Sequence, residues 1–506
     1  MNTEISYKKV INSLKQRKKG AVAADICAQT ALPLTTVNEL LSKAADEFSG
    51  HLKVTESGEI QYYFPSGFTS RYKGIKAVFS NIFKKITAFI KKTSVILFKI
   101  WIMVMLIGYF VLFIAIALAA VFIQIAAKSN NSSSSSGDKG GFFGFGLFDL
   151  IFRLWFFNEI TKPRYSYETY ENIKNKNTKT KRPMHKAIFS FVFGEEDPNK
   201  NWDEIRDKSV IAFLQSNRGV ISLSEYMALT GESAPCAEKN ILEFCSKFEG
   251  RAEITEEGTI IYCFDKLLLQ SDNRKFSDLI PGYLRTGGST LKGSMIAPPV
   301  KRLKSFSANS KKMNGWFIAI NAVNFIFGSY FLYQSFALGK IIFDAVEPVI
   351  QGLYGTVFYF LNFIMSEPQN FIRIVLGFIP LIFSLFFWII PAVRNSFVKK
   401  ENIKTKLSNF KRFCFSKIFN SPKKIDIDSL DPNMNECFPD DLESAKDKII
   451  KEIGAYSNAE VDVGINGKII YSFNGIEREK EEVRKFRESV DLSKSDLGKT
   501  VFDTNE

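Results

Sequence analysis

Only two histidines, His51 and His185, stand among the 506 residues, and neither has a neighbour at metal-ligand spacing. Six cysteines are present without a C-x-x-C pair. Three of them (Cys236, Cys245 and Cys263) share one stretch, and Cys245 and Cys263 fall on or beside its apolar pattern, where buried free thiols belong. Such thiols suit a reducing compartment. Glu195-Glu196-Asp197 is the tightest acidic group and has the oxygen chemistry to hold a hard cation. A solvated turn ahead of Pro198 is the favoured reading. Asp149 and Arg153 are four apart and so can pair on one helical face. Asn321 and Asn324, three apart in an apolar segment, suit hydrogen bonds between packed helices. No phosphate-cradling P-loop, G-x-G-x-x-G or G-x-S-x-G context occurs, and the Gly-rich stretch Gly137–Gly146 opens an apolar segment with no strand before it. The expectation is therefore a protein without catalytic, cofactor-binding or metal-binding residues, and not an enzyme.

What must be positioned instead is a phrase written three times. Gly58-x-Ile60-x-Tyr62-x-Phe64, Gly258-x-Ile260-x-Tyr262-x-Phe264 and Gly467-x-Ile469-x-Tyr471-x-Phe473 each follow an alternating partner, Leu52/Val54, Ala252/Ile254 and Val461/Val463. Alternation on both sides of a Gly turn predicts a β-hairpin with one buried face. Before the first two hairpins come a helix (7–16; 202–214), a turn at Gly20 or Gly219, a short helix ending at Thr30 or Thr230, and a third helix (36–48; 235–248). Three helices and a two-stranded wing describe a winged helix, with Ile60/Ile260 and Tyr62/Tyr262 expected to share the face packed on the third helix. The third copy keeps one helix (442–453) and its hairpin, and reads as truncated.

The rest is apolar and basic. Hydrophobic residues make up 46% of the chain, with 49 Phe beside a net charge of +14, a mixture that membrane spans with basic flanks produce. The uncharged run Ile100–Ala127 exceeds the roughly 20 residues that span a bilayer. Ahead of it Arg71, Lys73, Lys76, Lys84, Lys85, Lys91, Lys92 and Lys99 occur with no acid between them, interleaved with apolar residues at helical spacing. That is a basic amphipathic helix for an anionic leaflet. A Ser/Gly linker and a short apolar segment (141–157) follow, then a Lys-rich stretch, so an even number of crossings with the Ser-rich loop outside is expected. No cleavable signal peptide precedes the first winged helix. The second membrane region carries apolar stretches at 316–338, 346–365 and 371–390, flanked by Lys301, Arg302, Lys304, Lys311 and Lys312 before and Arg394, Lys399, Lys400, Lys404, Lys406, Lys411 and Arg412 after. The middle stretch, bracketed by Asp344, Glu347 and Glu367, reads as an outer-face, partly inserted element.

These segments divide the chain into a first winged-helix-like domain (1–65), a first membrane region (70–160), a second winged-helix-like domain (183–268), a basic linker (269–312) and a second membrane region (313–395). A basic and polar linker (396–435), the truncated third element with a charged helix (436–490) and a disordered tail (491–506) complete it. The fold class is an α-helical integral membrane protein with α+β winged-helix-like soluble domains.

Nucleic acid is not an expected partner. The third helices carry Glu39, Asp46 and Glu47 against Lys43, and Glu238, Glu243 and Glu249 against Lys239 and Lys247. The wings add Glu56, Glu59, Glu253, Glu256 and Glu257. Phosphate contacts need Lys/Arg on the docking face, and here the positive charge sits on membrane flanks.

Phe189-Ser-Phe-Val-Phe-Gly-Glu-Glu-Asp-Pro-Asn199, then Phe306-Ser-Ala-Asn309 leading to Asn321 and Asn324, come in order with the wing phrases. With them the chain resembles a poorly characterised family of multi-pass membrane proteins from cyanobacteria, chloroplasts and some other bacteria, over most of its length. Some plant members bear an iron–sulfur biosynthesis label, for which this chain has no Cys constellation. The resemblance implies architecture rather than mechanism. The expected function is a membrane scaffold or assembly protein with its soluble modules on the cytosolic side of a bacterial inner membrane or its organellar equivalent. Its expected partners are the bilayer and one or more proteins. A small-solute or ion transporter is the alternative, and a membrane-tethered transcription regulator the third reading.

Overall fold

The 3.6-residue and two-residue apolar periods settle into helices and short antiparallel strands in the computed structural model, which describes residues 3–17, 20–71, 75–129, 183–269, 298–337, 352–423, 425–430, 438–463, 469–491 and 497–504. In chain order the helices are α1 (Thr3–Lys15), α2 (Ala23–Thr30), α3 (Leu34–Phe48), α4 (Ile75–Met103), α5 (Tyr109–Ser129), α6 (Met184–Phe193), α7 (Trp202–Ser216) and α8 (Leu223–Thr230). They continue as α9 (Ala234–Phe248), α10 (Lys311–Ala337), α11 (Gly352–Asn362), α12 (Pro368–Phe371), α13 (Ile379–Asn420), α14 (Leu442–Ser457) and α15 (Asn474–Ser489). The strands are β1 (His51–Thr55), β2 (Ile60–Tyr63), β3 (Val220–Ser222), β4 (Arg251–Ile254), β5 (Ile260–Cys263), β6 (Ile425–Asp426), β7 (Glu460–Val463), β8 (Ile469–Ser472) and β9 (Thr500–Asp503). Two compact units result: Met1–Ser80 with Asp197–Leu303 and Glu401–Glu506, and Asn81–Glu196 with Lys304–Lys400.

The first unit contains the threefold element. The helix triplets α1–α3 and α7–α9 and the hairpins β1–β2 and β4–β5 lie where their patterns place them. In each copy the third helix ends on a residue of positive φ, Ser49, Glu249 or Asn458. The amide of that residue and the next both return to one helical carbonyl: Ala45, Cys245 or Gly454. This C-cap satisfies an otherwise orphaned acceptor and aims the chain into the hairpin. The motif tyrosine is then the middle of a three-way pairing. Tyr62 faces Leu52 and bridges Ala21, Tyr262 faces Ala252 and Ile221, and Tyr471 faces Val461 and Ile425.

Four expectations change. The third element is not limited to a helix and hairpin: β6 completes a sheet of order β6-β8-β7, matching β3-β5-β4 of the second copy. The span 396–435 is not a linker, because α13 runs on to Asn420. Phe410, Cys414 and Ile418, with Phe415 and Phe419, recur four apart and are buried, so a 3.6-period face was masked by its lysines. The tail 491–506 is not wholly disordered, since β9 pairs with β1 at Lys53↔Asp503 and Val54↔Phe502. Finally, Tyr62 and Tyr262 are buried, whereas Ile60, Ile260 and Ile469 are exposed. Both share a face, but the isoleucine sits at the tip, beyond the part of the wing that contributes to the core.

The charged helix α15 docks on the second copy through buried carboxylates. Glu479 accepts from the Ser224 amide and the Tyr456 hydroxyl, and Glu482 accepts from the Thr255 hydroxyl at 2.6 Å. Arg487 reaches Glu225 at 2.6 Å and the Val220 carbonyl at 2.7 Å. Burial raises the Glu225 pKa in spite of Arg487. Burial also acts to raise that of Glu482, but hydrogen bonds from Thr255, Thr259 and Arg478 prevail and hold it at about 2.

The second unit holds most of the apolar helix length. Among the described residues, three helices are long and apolar enough to cross a bilayer: Phe89–Ile123, Lys311–Ala337 and Pro368–Asn420. Of the expected middle element of the second region (346–365), the described residues show the helix α11, Gly352–Asn362; residues 346–351 lie outside the described residues. The apolar segment 141–157, with Asp149 and Arg153, and the Ser/Gly linker lie outside the described residues. Two π-helical segments, Val104–Gly108 and Ile372–Phe378, interrupt the long helices. Helix α10 packs tightly on the second of them. A Cβ on Gly377 would lie 3.1 Å from Leu332 Cβ, and one on Gly328 would lie 3.2 Å from the Leu381 nitrogen.

Candidate functional site

The wing phrase positions backbone rather than reactive groups. Tyr62 and Tyr262 fill the core, Phe264 and Phe473 are fully buried, and Gly58 and Gly258 occupy positive φ at the hairpin turns. Gly467 lies outside the described residues. At the tips, aliphatic residues stand directly opposite one another: Val54↔Ile60, Ile254↔Ile260 and Val463↔Ile469. Ile254 and Val463 are 72% and 67% exposed, which leaves apolar edges in water. The first hairpin differs because β9 occupies its outer edge, giving the order β2-β1-β9. In the other two sheets the equivalent strands, β4 and β7, pair with no further strand among the described residues.

The residues that carry the resemblance meet in two polar clamps, one in each unit. In the second unit the Arg394 guanidinium donates to the Phe191, Val192 and Phe306 carbonyls, closing the C-terminus of α6. It also lies 4.5 Å from the Phe306 ring centroid, and Gly194 leaves room for it where a Cβ would collide. Asn309 donates to the Ala187 carbonyl at 2.8 Å, and the Ala308 amide donates to Ser190 Oγ. A helix end left without donors costs free energy in an apolar setting, and one planar, multiply donating cation answers several carbonyls at once.

In the first unit Asn199 and Asn409 act as side-chain substitutes for backbone. Asn199 Nδ2 donates to the Arg302 carbonyl at 2.7 Å while its Oδ1 accepts from the Arg302 amide at 2.9 Å. Asn409 repeats the pattern with Lys301 at 2.8 Å in both directions. Arg412 stacks 4.4 Å from Trp202 and donates to the Thr230 carbonyl and to Asn409 Oδ1. Lys301 sits 4.9 Å from the same indole, and burial lowers its pKa, with the Arg412 charge adding to the effect. Part of the stretch 269–312, read as a linker, is thus fastened.

The intrahelical asparagines bond across helices. Asn324 Nδ2 donates to the Leu106 carbonyl, inside the first π-helical segment, and Asn321 Nδ2 donates to the Ser384 carbonyl. The Tyr109 hydroxyl donates to the Val375 carbonyl inside the second π segment. A π turn loosens the regular i→i−4 pattern, and such segments concentrate where function or close packing needs them. Asn321 and Asn324 were legible as helix-to-helix donors. Arg394, Asn409 and Arg412 were not, because a basic stretch after an apolar run reads as a flank, and Tyr109 was not, because it sits within an uncharged run.

Of the basic series, Arg71 and Lys91 are exposed and Lys99 is half-buried, with its ammonium 4.3 Å from the Phe189 ring centroid. The side chains of Lys73, Lys76, Lys84, Lys85 and Lys92 lie outside the described residues. Glu195, Glu196 and Asp197 are exposed, and Asp197 accepts from the Asn199 amide. Among the described residues no three His, Cys, Asp or Glu side chains are grouped to hold a metal. Burial pushes the Cys245 and Cys263 thiols up to about 11 and about 12, which suppresses thiolate chemistry.

Comparison with known proteins finds a distant relative. The chain is 22% identical over 435 residues to an uncharacterised chloroplastic protein of Arabidopsis thaliana, covering 82% of this chain and 73% of the relative. No family model matches the chain, and no solved structure matches it.

Proposed function

We propose that the protein is an integral membrane scaffold in which winged-helix-like modules, three copies on one side of the bilayer, gather other proteins. The carrying observation is β9. The first wing already takes an added strand at its edge, and the two other wings expose the same edge with apolar tips. Strand addition supplies affinity through main-chain hydrogen bonds and specificity through alternate side chains. Lys and Arg on the flanks of the apolar helices support placing the modules on the cytosolic side or its organellar counterpart. The chloroplastic relative favours an organellar or photosynthetic-lineage membrane.

The exposed faces of α3 and α9 argue against the tethered-regulator reading. Glu39, Asp46, Glu238 and Glu243 point to solvent, and Lys247 is bound to Glu243 at 2.8 Å. Lys43 and Lys239 are exposed on the same faces but are outnumbered by these acids, and a nucleic-acid-docking face needs an excess of cations. The transport reading has less support, because Asn321, Asn324 and Tyr109 each donate to a carbonyl of a neighbouring helix, the role of helix-to-helix fastening.

The test compares in-membrane crosslinking and capture for the full chain and for an Ile254→Asp/Val463→Asp variant. Charged tips should remove specific partners while leaving membrane association unchanged. The same partners captured from both chains would refute wing-mediated recruitment.

A further inference from the structure

An apolar groove of about 390 Å³ opens in the second unit, within the size range of small-molecule sites. Its floor and walls come from Phe98, Trp101, Phe193, Ile382, Phe383 and Phe386 together with neighbouring aliphatic residues. Several of these are half exposed, so the groove faces outward along helices of bilayer-spanning length. A straight hydrocarbon fits such a lining, which offers almost no polar atom.

One end of the groove is cationic. Lys99 adjoins the lining residue Phe98, and its ammonium rests on Phe189, whose ring is 4.9 Å from Phe193. His185 and Lys186 begin the same short helix α6. The pKa of His185 is lowered by burial first, then by Lys186 and Lys99, so each of the two lysines lies within electrostatic reach of His185. No described carboxylate forms an ion pair with Lys99 or Lys186.

We propose that this groove is a selective site for a membrane lipid with an anionic headgroup, its acyl chain lying between Trp101 and Phe386 and its headgroup held by Lys99 and Lys186. The proposal rests on the membrane reading above. It goes beyond a basic flank on a charged surface, because it assigns one lipid position formed jointly by α4, α6 and α13. Charge complementarity chooses the occupant: a zwitterionic lipid would fill the groove equally well but would leave two cations uncompensated. Each basic residue near an anionic surface contributes about 1 kcal/mol, or about fivefold in binding.

Trp101 provides the readout. The full chain carrying Trp155→Phe, Trp202→Phe, Trp316→Phe and Trp388→Phe retains Trp101 alone. It is reconstituted in nanodiscs of unlabelled phosphatidylcholine doped with acyl-brominated phosphatidylglycerol or acyl-brominated phosphatidylcholine. Quenching by the brominated phosphatidylglycerol should reach half its maximum at a mole fraction roughly 25-fold below that for the brominated phosphatidylcholine. Lys99→Gln or Lys186→Gln should each reduce that preference about fivefold while maximal quenching persists. Ile382→Trp could not be read in this assay, so Ile382→Phe is used to narrow the groove, and it should weaken quenching by both lipids. Equal quenching by the two lipids, or a preference untouched by either lysine substitution, would overturn the selective site and leave the membrane reading standing. No quenching by either lipid would overturn both.

Discussion

Gly250 follows the positive-φ cap of α9 and opens β4, where its missing side chain leaves space for a ring. A Cβ built there would lie 2.7 Å from Phe264 Cδ1 and 2.8 Å from Cζ, and closer still to Cε1. Phe264 is fully buried and packs edge-on against Phe244 at 5.4 Å, so it has nowhere to swing. Overpacking of this kind costs about 1–3 kcal/mol, and a buried, buttressed ring puts Gly250→Ala at about 3 kcal/mol. Gly50→Ala should cost a similar amount, about 1–3 kcal/mol, because its Cβ would meet the half-buried Phe64 ring at 2.7 Å and also the Ala45 Cα at 2.9 Å, which is backbone and cannot swing away. The third copy shows the alternative solution. Ala459 stands after its cap and the glycine has moved to Gly454, whose added Cβ would lie 3.3 Å from Ala459 Cβ. Hydrogen exchange by mass spectrometry on the full chain reads the effect locally, which a global melting curve of a multi-unit protein would not. Peptides covering β4 and β5 should exchange roughly a hundredfold faster in Gly250→Ala. In a Phe264→Leu background the same substitution should add under about 1 kcal/mol. An unchanged penalty in that background would refute the steric argument and implicate backbone strain instead.

Removing residues 498–506 should raise exchange in β1, whose edge β9 covers, and leave β4–β5 and β7–β8 unchanged; protection of β1 that survives the deletion would mean β9 contributes nothing there. Arg394→Gln should release two carbonyls at the end of α6 and that of Phe306, with a loss of about 2 kcal/mol or more and faster exchange centred on 184–194. The His185 pKa is depressed, so the folded unit favours its neutral form. That contribution is present above the unfolded value near 6.5 and is lost as pH falls through the lower folded value. Lys99→Gln should move the His185 titration upward by NMR, and an unmoved titration would remove Lys99 from its surroundings. A soluble segment covering 200–268, provided it folds, should bind duplex DNA at low salt no better than about 10⁻⁴ M; tight, salt-sensitive binding would revive the regulator reading.

The first two helix triplets and all three hairpins were legible because their signals are local. The hairpin period of two needs only a few residues, and Gly58 and Gly258 mark turns that demand positive φ. The sheet's third strand was hidden in every copy. Ala21, Val220–Ser222 and Ile425–Asp426 are too short to show alternation, and their pairing with the wing closes loops of about 40 residues, which no window along the sequence can see. Strand β9 is the extreme case, since four residues find their partner from the opposite end of the chain.

Charge misled where it was read without periodicity. Between Arg394 and Arg412 the lysines announce a solvated linker, yet Asn409 and Arg412 are buried and make specific bonds. The physical reason is that an arginine can be buried when carbonyls and an indole face replace water around it, as the Thr230 carbonyl and Trp202 do for Arg412. Composition counts such a residue with the snorkelling lysines beside it. Only the positions of Phe410, Cys414 and Ile418, four apart, distinguish the two, by showing that the residues between them follow a helix with one face in the core. The same distinction explains why Arg394 belongs to α6 rather than to a positive flank. Its neighbours Phe191, Gly194 and Phe306 lie about 90 to 200 residues away in sequence, and the glycine's purpose is visible only once the guanidinium is seen filling the space beside it. Signature residues in this chain therefore mark places where helices are fastened to one another, and a mechanism should be sought at the surfaces that this fastening holds in position: the open wing edges and the cationic mouth of the apolar groove.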